Sequence, residues 1–252
     1  NLLKHHKILQ GTEIHYDGDL PARSGMGSSS CFTVGLMKAF NALKQKNISD
    51  LNLAKNAIYF EQKIMKEIVG SQDQIAASIG GFNKIIFKKK DKFTVKKITA
   101  INNIKKLEKN LVLIYTGINR TAHKIASTYV RQLSSTKKIY INDICDHVTE
   151  GEKLLYAGKI NDFGKLLNNS WNLKKKLSNS ISNKKIDDLY DFAIKNGALG
   201  GKLLGAGGGG FLLIYMEDKY RKTFFKKNPK LIKIPFNFTN EGSQVIFKDL
   251  KR

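Results

Sequence analysis

The sequence predicts a mixed α+β protein in two lobes, because some segments carry a helical apolar period and others are short apolar runs of strand length. Phe32, Leu36 and Phe40 recur every four residues, which places them on one face of a helix. Leu111–Tyr115 and Phe211–Tyr215 are continuous apolar runs next to glycine or polar residues, which is typical of strands. The 252 residues suffice for two lobes with cores of their own.

In the first half, a strand and a glycine-rich loop precede three helical segments, and a hairpin follows. The serines at 28–30 are good N-cap residues for the first helix, and Gly80 with Gly81 stops the third. The predicted segments are the strand Glu13–Asp17, the helix that carries Phe32 to Leu43, the helix Asp50–Glu67, the turn and short helix Val69–Ala77, and the hairpin strands Phe82–Phe87 and Phe93–Ile98.

The second half alternates helices with a few short strands. The polar stretch Asn102–Asn110 is predicted to connect the lobes, so that the first spans residues 1–107 and the second residues 108–252. The predicted strands are Leu111–Tyr115, Phe211–Tyr215, Leu231–Ile234 and Gln244–Phe247, and the predicted helices start near Thr121 and cover Lys138–Ala157, Ile160–Leu177, Lys184–Lys195 and Asp218–Lys226.

The net charge of +23 comes almost entirely from lysine, since the chain has only five arginines. Base readout and bidentate phosphate contacts favour arginine. The lysine runs Lys88–Lys90 and Lys174–Lys176 also lack the interleaved aromatic residues of a platform for single-stranded nucleic acid. We therefore predict no nucleic-acid partner, and a solvated basic surface that attracts anionic substrates such as ATP or a sugar phosphate.

Compartment and membrane association follow from the apolar runs and the cysteines. No run approaches the roughly 20 apolar residues of a membrane span, and the first residues lack the apolar core of a secretory leader. Cys31 and Cys145 have no metal-ligand spacing and no nearby histidine cluster. We expect a cytoplasmic protein with reduced cysteines and no membrane partner.

A glycine- and serine-rich loop precedes the first long helix, in residues 21–30. Glycines let backbone N–H groups approach an anion closely, and the N-terminus of the following helix adds free N–H groups and a positive dipole end. Serine hydroxyls there can contact phosphate oxygens or Mg²⁺. The loop is not a Walker A loop, because no Gly-Lys-Ser/Thr follows. These residues alone predict either a phosphate cradle or a simple capped turn.

Two further segments carry chemical interest. Asp73 lies within Gly70-Ser71-Gln72-Asp73-Gln74 at the start of a short helix, where it is either an N-cap residue or a functional carboxylate. Gly207–Gly210 is a run of four consecutive glycines directly before a predicted strand. The apolar residues on both sides of this run argue against a flexible linker and favour a backbone that passes another group closely.

Together, these three segments resemble the signatures of the GHMP kinases, in the family's order. Residues 21–30 are similar to PxxxGLGSSA, with Met26 in place of Leu and Ser30 in place of Ala. Residues 70–74 are similar to the GxxDQ of galactokinase-like members, and residues 202–210 to KxxGAGxGG. The residues of these motifs, together with Tyr115–Thr121, most resemble those of the bacterial D-glycero-D-manno-heptose 7-phosphate kinases. Fucokinase-type sugar 1-kinases share parts of these motifs.

The resemblance implies an ATP- and Mg²⁺-dependent sugar kinase that phosphorylates the anomeric hydroxyl of the heptose 7-phosphate, on a route to GDP-heptose for surface polysaccharide. It implies Asp73 as catalytic base or as the group that orients the hydroxyl, and Ser29 with Glu61 as Mg²⁺ contacts. Ser28 and Glu67 are the alternatives for the metal, and Glu61 could instead be an ordinary helix-surface glutamate. It implies phosphate-loop contacts with ATP by Pro21, Arg23, Ser24, Gly25, Met26, Gly27, Ser28, Ser29 and Ser30, and substrate contacts by Asp73, Gly117, Arg120, Gly207 and Gly208.

Arg120 is the candidate partner for the 7-phosphate, because it comes just before a predicted helix N-terminus, and a surface arginine is the alternative. The resemblance also implies a ribosomal-protein-like first lobe, a ferredoxin-like second lobe and an active site between them. The family's first signature is not found in the chain, so we expect a truncated first lobe, whose unpaired sheet edge favours homo-oligomers. A non-catalytic GHMP-like interaction module is the remaining alternative.

Overall fold

The computed structural model describes residues 1–9, 11–20, 25–89, 92–118 and 125–249. The chain forms two compact units. The first comprises Asn1–Ala22, Gly27–Gly81 and Thr239–Arg252, and the second Arg23–Met26 and Phe82–Phe238. These units divide after Gly81, whereas the predicted lobes divide after residue 107; the lobe boundaries stay a prediction.

The described part of the first unit is helical. Asn52 N donates to the Ser49 hydroxyl at 3.3 Å, so Ser49 caps the helix that begins at Asp50. The core contains Val34, Met37, Phe40 and Leu53, which are at most 3 % exposed. The elements are α1 (Leu2–His5), α2 (Ser28–Leu43), α3 (Asp50–Tyr59), a π-helix (Phe60–Ile64) that continues α3, and α4 (Gln72–Ile79).

Two strands predicted for the ends of this unit are wrong. Residues Glu13–Asp17 and Gln244–Phe247 adopt no regular secondary structure and pair with no strand among the described residues. Residues 11–19 are all exposed, so they face no core. A local sequence pattern alone cannot create a strand, because a strand needs a partner for its N–H and C=O groups.

The segment that follows the second unit returns to pack on α4. Gly81 N donates to Thr239 O at 3.0 Å, and Ser243 N donates to Ala77 O at 2.8 Å. The contact at Gly242 is so close that an added Cβ would lie 2.1 Å from Ser78 O. The end of the chain therefore helps to fix the short helix that carries Asp73.

The second unit contains two antiparallel sheets. β1 (Asn83–Phe87) pairs with β2 (Phe93–Lys97) in the predicted hairpin. A four-stranded sheet has the order β4–β5–β3–β6, with every neighbour antiparallel. Its strands are β3 (Leu111–Tyr115), β4 (Ala198–Leu203), β5 (Phe211–Met216) and β6 (Ile232–Ile234).

Helices and two apolar clusters surround this sheet. Leu212 and Ile214 belong to one cluster with Trp171, whereas Leu213 and Tyr215 belong to the other with Leu155. Both faces of β5 therefore pack against apolar residues, which explains its continuous apolar run. The helices are α5 (Ile101–Asn110), α6 (Lys138–Tyr156), α7 (Ile160–Lys175), α8 (Lys184–Lys195) and α9 (Asp218–Lys227), with a 3₁₀ turn at Val130–Gln132.

One prediction for the second unit is wrong. The supposed connection at residues 102–110 is helix α5, whose buried Leu107 belongs to the core although the segment is otherwise rich in lysine and asparagine. Strand β4 was not predicted. It lies in a glycine-rich stretch, where Gly200 and Gly201 approach α7 and β5 too closely for a side chain. The start of the helix predicted near Thr121 lies outside the described residues. The mixed α+β fold class is confirmed.

Candidate functional site

Gly27 is the N-cap of helix α2 and has a left-handed backbone with φ of 72°. Glycine adopts this conformation without the strain that a Cβ brings. Cys31 N donates to Gly27 O at 2.9 Å as the first helical bond, so the N–H groups of residues 28–30 point away from the helix without an intrahelical acceptor. Ser29 is exposed at this end. The start of α2 thus has the features of an anion cradle.

Asp73 lies against this helix start. A Cβ built on Gly27 would lie 3.1 Å from Cβ, Cγ and Oδ2 of Asp73. Asp73 is an exposed residue of the first turn of α4, where the helix dipole favours a negative charge. The fold therefore brings an accessible carboxylate next to the glycine that opens the serine-rich turn, although 46 residues separate them in the sequence.

Glu61 is buried beside the same turn, with 2 % of its surface exposed. Ser30 Oγ donates to Glu61 Oε2 at 3.0 Å, and Gln74 Nε2 donates to the same oxygen. Ser30 and Gln74 are also buried. Glu61 lies on the π-helix, in which Met65 N donates to Phe60 O at 2.8 Å. π-helical turns are frequent at functional sites.

Glu61 Oε1 is a buried oxygen without a hydrogen-bond partner in the described structure, and no ion pair to Glu61 is found there. A buried carboxylate with only neutral donors is costly unless a cation compensates it. The hydroxyls at the start of α2 and the Glu61 carboxylate are hard oxygen donors, which Mg²⁺ prefers. Groups of three or more His, Cys, Asp or Glu suited to a metal are absent from the described ranges. Mg²⁺ completing its shell with phosphate oxygens and water fits this donor set.

The Cys31 thiol lies within the electrostatic reach of both carboxylates. Partial desolvation raises the pKa of this thiol, and the charges of Asp73 and Glu61 raise it further. Cys31 is exposed as a residue and forms no disulfide. Its raised pKa keeps it protonated, so it is an ordinary thiol next to two negative groups rather than a nucleophile.

In the second unit, the glycine run between β4 and β5 is held by backbone contacts. Gly208 N donates to Ile181 O and Gly210 N donates to Ile118 O, both at 2.8 Å. Thr116 donates to Gly210 O through its backbone N at 2.9 Å and its hydroxyl at 2.8 Å. These bonds bring the 116–118 turn, which contains the predicted Gly117, next to the run.

Two of the predicted glycines are needed for packing. Gly207 has φ of 115°, and an added Cβ would lie 2.7 Å from Ile181 Cα. Gly208 has φ of 79°, and its added Cβ would lie 3.0 Å from the Ile125 side chain. Direct contact of Gly117, Gly207 or Gly208 with a substrate stays a prediction.

Two lysines lie at the start of this run. Lys174 Nζ donates to the carbonyls of Leu203 and Gly205, at 3.2 and 2.5 Å. Burial lowers the pKa of the Lys202 amine, because removal from water disfavours its charged form. In the sequence, Lys174 belongs to the basic run Lys174–Lys176, and no local pattern distinguishes it from its neighbours.

The structure thus brings Gly27, Ser30, Glu61 and Asp73 together in the first unit. Pro21, Arg23, Ser24 and Arg120 lie outside the described residues. The contacts of Ser30 and Gln74 with Glu61 were not predicted, although both residues belong to the glycine-containing motifs. Their place directly after Ser29 and Asp73 in the sequence is the signal that could have indicated them.

The fold is that of a known class of enzymes. Residues 1–81 match the family described as GHMP kinases N terminal domain, and residues 152–227 match GHMP kinases C terminal. The chain belongs to the GHMP kinase family, and the expectation of an ATP-dependent kinase is confirmed at the level of this family.

Within this family, the chain is similar to several individual kinases. The chain is 31 % identical over 234 residues to the D-glycero-alpha-D-manno-heptose 7-phosphate kinase of Campylobacter jejuni, covering 91 % of this chain and 69 % of the relative. It is 28 % identical to the bifunctional fucokinase/GDP-fucose pyrophosphorylase of Arabidopsis thaliana, covering 82 % of this chain and 20 % of that protein. The crystal structure of a D-glycero-D-manno-heptose 1-phosphate kinase from Bacteroides thetaiotaomicron superposes with a TM-score of 0.67 at 26 % identity, covering 89 % of this chain and 64 % of that one.

The chain spans about two thirds of the length of the heptose phosphate kinases that it matches. Within the described ranges, no helix combines the length and the apolar character needed to cross a membrane.

Proposed function

We propose that the protein transfers the γ-phosphate of ATP to the anomeric hydroxyl of D-glycero-D-manno-heptose 7-phosphate. The observation that carries the proposal is the contact of Asp73 with Gly27, beside the buried Glu61. It unites three requirements of phosphoryl transfer: an anion cradle, a carboxylate for the acceptor hydroxyl and an oxygen site for a cation.

Each group has a defined part in the reaction. The start of α2 binds phosphate oxygens through its free N–H groups, and Asp73 accepts a hydrogen bond from the acceptor hydroxyl. The hydroxyl oxygen forms a bond to Pγ while the bond from Pγ to the β,γ-bridging oxygen breaks, and ADP leaves. The hydroxyl proton passes to Asp73 and then to solvent. Glu61 with Ser29 would hold Mg²⁺, which supplies charge neutralisation on the phosphates when bound.

The acceptor is inferred from the relatives and from the basic charge. Two matched proteins are named for heptose phosphates, and the net charge of +23 favours an anionic sugar over a neutral one. Arg120 is the proposed partner of the existing phosphate, and Gly117, Gly207 and Gly208 the proposed backbone neighbours of the sugar. The product, a sugar 1,7-bisphosphate, suits a route to nucleotide-activated heptose in the cytoplasm.

A second candidate is a fucokinase-type sugar 1-kinase, which the match to the plant fucokinase favours. A coupled ADP-release assay with ATP and Mg²⁺ separates the two. The acceptors are heptose 7-phosphate, fucose, galactose and mannose, with mevalonate as a non-sugar alcohol. Turnover confined to heptose 7-phosphate is the expected result. Turnover with fucose alone would replace the proposed acceptor, and no turnover with any sugar would contradict the sugar-kinase assignment.

Asp73→Asn tests the role of the carboxylate. We expect kcat to fall by about 10² to 10⁴, because general-base and orienting interactions are worth that much, while the KM for ATP changes little. Asp50→Asn is the matched control, since Asp50 is also an exposed carboxylate in the first turn of a helix of the same unit. Equal kcat values for both variants would remove Asp73 from the mechanism.

A further inference from the structure

Three buried polar side chains from different elements meet at one oxygen atom. Ser30 comes from α2, Glu61 from the π-helix and Gln74 from α4, and they are 5 %, 2 % and 0 % exposed. Both donors converge on Glu61 Oε2, which leaves Oε1 without a partner. Two donors on one oxygen and none on the other orient a carboxylate in a single way.

The direction of the Gln74 amide follows from its neighbour. An ionised carboxylate only accepts hydrogen bonds, so the NH₂ group of Gln74 faces Glu61 and its own Oε1 faces away. Ser30 in turn donates its hydroxyl proton to Glu61. Neither residue brings a positive charge, so the pair fixes the position of the carboxylate without neutralising it. Its charge therefore remains available to a cation at Oε1.

We propose that Gln74 and Ser30 are positioning residues that hold Glu61 with Oε1 directed toward the divalent cation of the nucleotide. The inference rests on the proposed function. It gives α4 two tasks, because Asp73 on the exposed side contacts the start of α2 while Gln74 on the buried side orients Glu61. A shift of this short helix would displace the acceptor carboxylate and the metal ligand together.

A purely structural role of Gln74 makes a different prediction. A buried amide that only fills the core would, when replaced by an apolar side chain of similar size, change the stability and leave cation affinity as it was. A positioning residue changes cation affinity, typically by 10- to 100-fold for groups that orient a ligand. The cation affinity therefore separates the two roles.

The test measures Mn²⁺ in place of Mg²⁺, by the EPR signal of free Mn²⁺ with a saturating non-hydrolysable ATP analogue and with the analogue alone as blank. For Gln74→Met we expect Mn²⁺ to bind about tenfold more weakly to the ternary complex, with the KM for sugar within about twofold of wild type. Gln72→Met is the control, because Gln72 is exposed on the same helix. Wild-type affinity in Gln74→Met would overturn the proposal.

Ser30 provides an independent second variant in case Gln74→Met does not fold. Ser30→Ala should also weaken Mn²⁺ binding, whereas Ser30→Thr, which keeps the hydroxyl, should restore it. Unchanged affinity in Ser30→Ala would overturn the role of Ser30. If the wild type binds Mn²⁺ in the ternary complex but phosphorylates no sugar, the acceptor assignment fails and the positioning role is still decided by these constants. If the wild type retains no Mn²⁺ beyond the blank, the positioning role is overturned.

Discussion

The two glycine-rich segments have similar compositions and different surroundings. At the start of α2, Gly27 leaves the helix N–H groups accessible and lies against the Asp73 carboxylate. Between β4 and β5, the glycines bond to Ile181, Ile118 and Thr116, and an added Cβ would meet backbone or isoleucine side chains at close range. We propose that glycine in the first segment lets a ligand approach, whereas in the second segment it lets the chain pack. A substitution of Gly27 should therefore act mainly on catalysis, whereas a substitution of Gly207 should act mainly on stability.

Gly207→Ala should give the largest loss of stability. The new Cβ would lie 2.7 Å from Ile181 Cα, a backbone atom that cannot rotate away, and φ of 115° is strained for alanine. Overpacking and backbone strain together predict a loss of about 3 kcal/mol in the free energy of unfolding. Denaturant unfolding measures it. A loss below about 1 kcal/mol would show that the run adapts to a side chain, and would contradict the conclusion that packing requires glycine there.

Gly27→Ala should act mainly on catalysis. A left-handed alanine costs about 1 to 2 kcal/mol, and the Cβ would displace the Asp73 carboxylate, which lies 3.1 Å away. Misplacement by about 1 Å can reduce kcat/KM by about 100-fold, so steady-state kinetics should change far more than the unfolding midpoint. Gly35→Ala is the control within the same helix, because nothing lies within 4 Å of its added Cβ. Wild-type kinetics in Gly27→Ala would show that the Asp73 contact is not functional.

The smallest expected effect is a pH dependence confined to the first unit. Desolvation lowers the pKa of His6 below 6.5, and the charges of His5 and Lys44 lower it further. The unfolded chain therefore binds more protons than the folded chain between the folded pKa and 6.5. Stability should fall as the pH falls through this window, by less than about 1.4 kcal/mol per pH unit because His6 is only partly buried. Thermal unfolding between pH 7.5 and 5 measures it.

His6→Phe keeps the ring packing on Phe40 and removes the titration, so it should flatten this dependence. His15→Phe is the control, because His15 is exposed. An equally steep dependence in His6→Phe would assign the effect to other groups.

The sequence predicted elements well where local signals agreed. Helix α2 has a helical apolar period and a glycine before it, and the structure confirms the helix. The prediction that the serines at 28–30 cap it is wrong, because the N-cap is Gly27, no side chain caps the helix, and the serines form its first turn. β5 is a continuous apolar run after the glycines, and it is also confirmed. The prediction from the sequence was wrong at residues 13–17, where the expected strand has no partner strand among the described residues. It was also wrong at α5, because this helix contains few apolar residues and is stabilised by the tertiary packing of Leu107.

By itself, the sequence determined the order of the three motifs, the serine-rich helix start and the class of protein, because these depend on residues adjacent in the chain. Only the tertiary structure decided that Ser30, Glu61 and Gln74 meet, that their donors share one oxygen, and that Asp73 lies against Gly27. The physical reason is that such contacts depend on how α2, α4 and a π-helical turn pack. A one-residue change of helical register would rotate a side chain by about 100° and separate them.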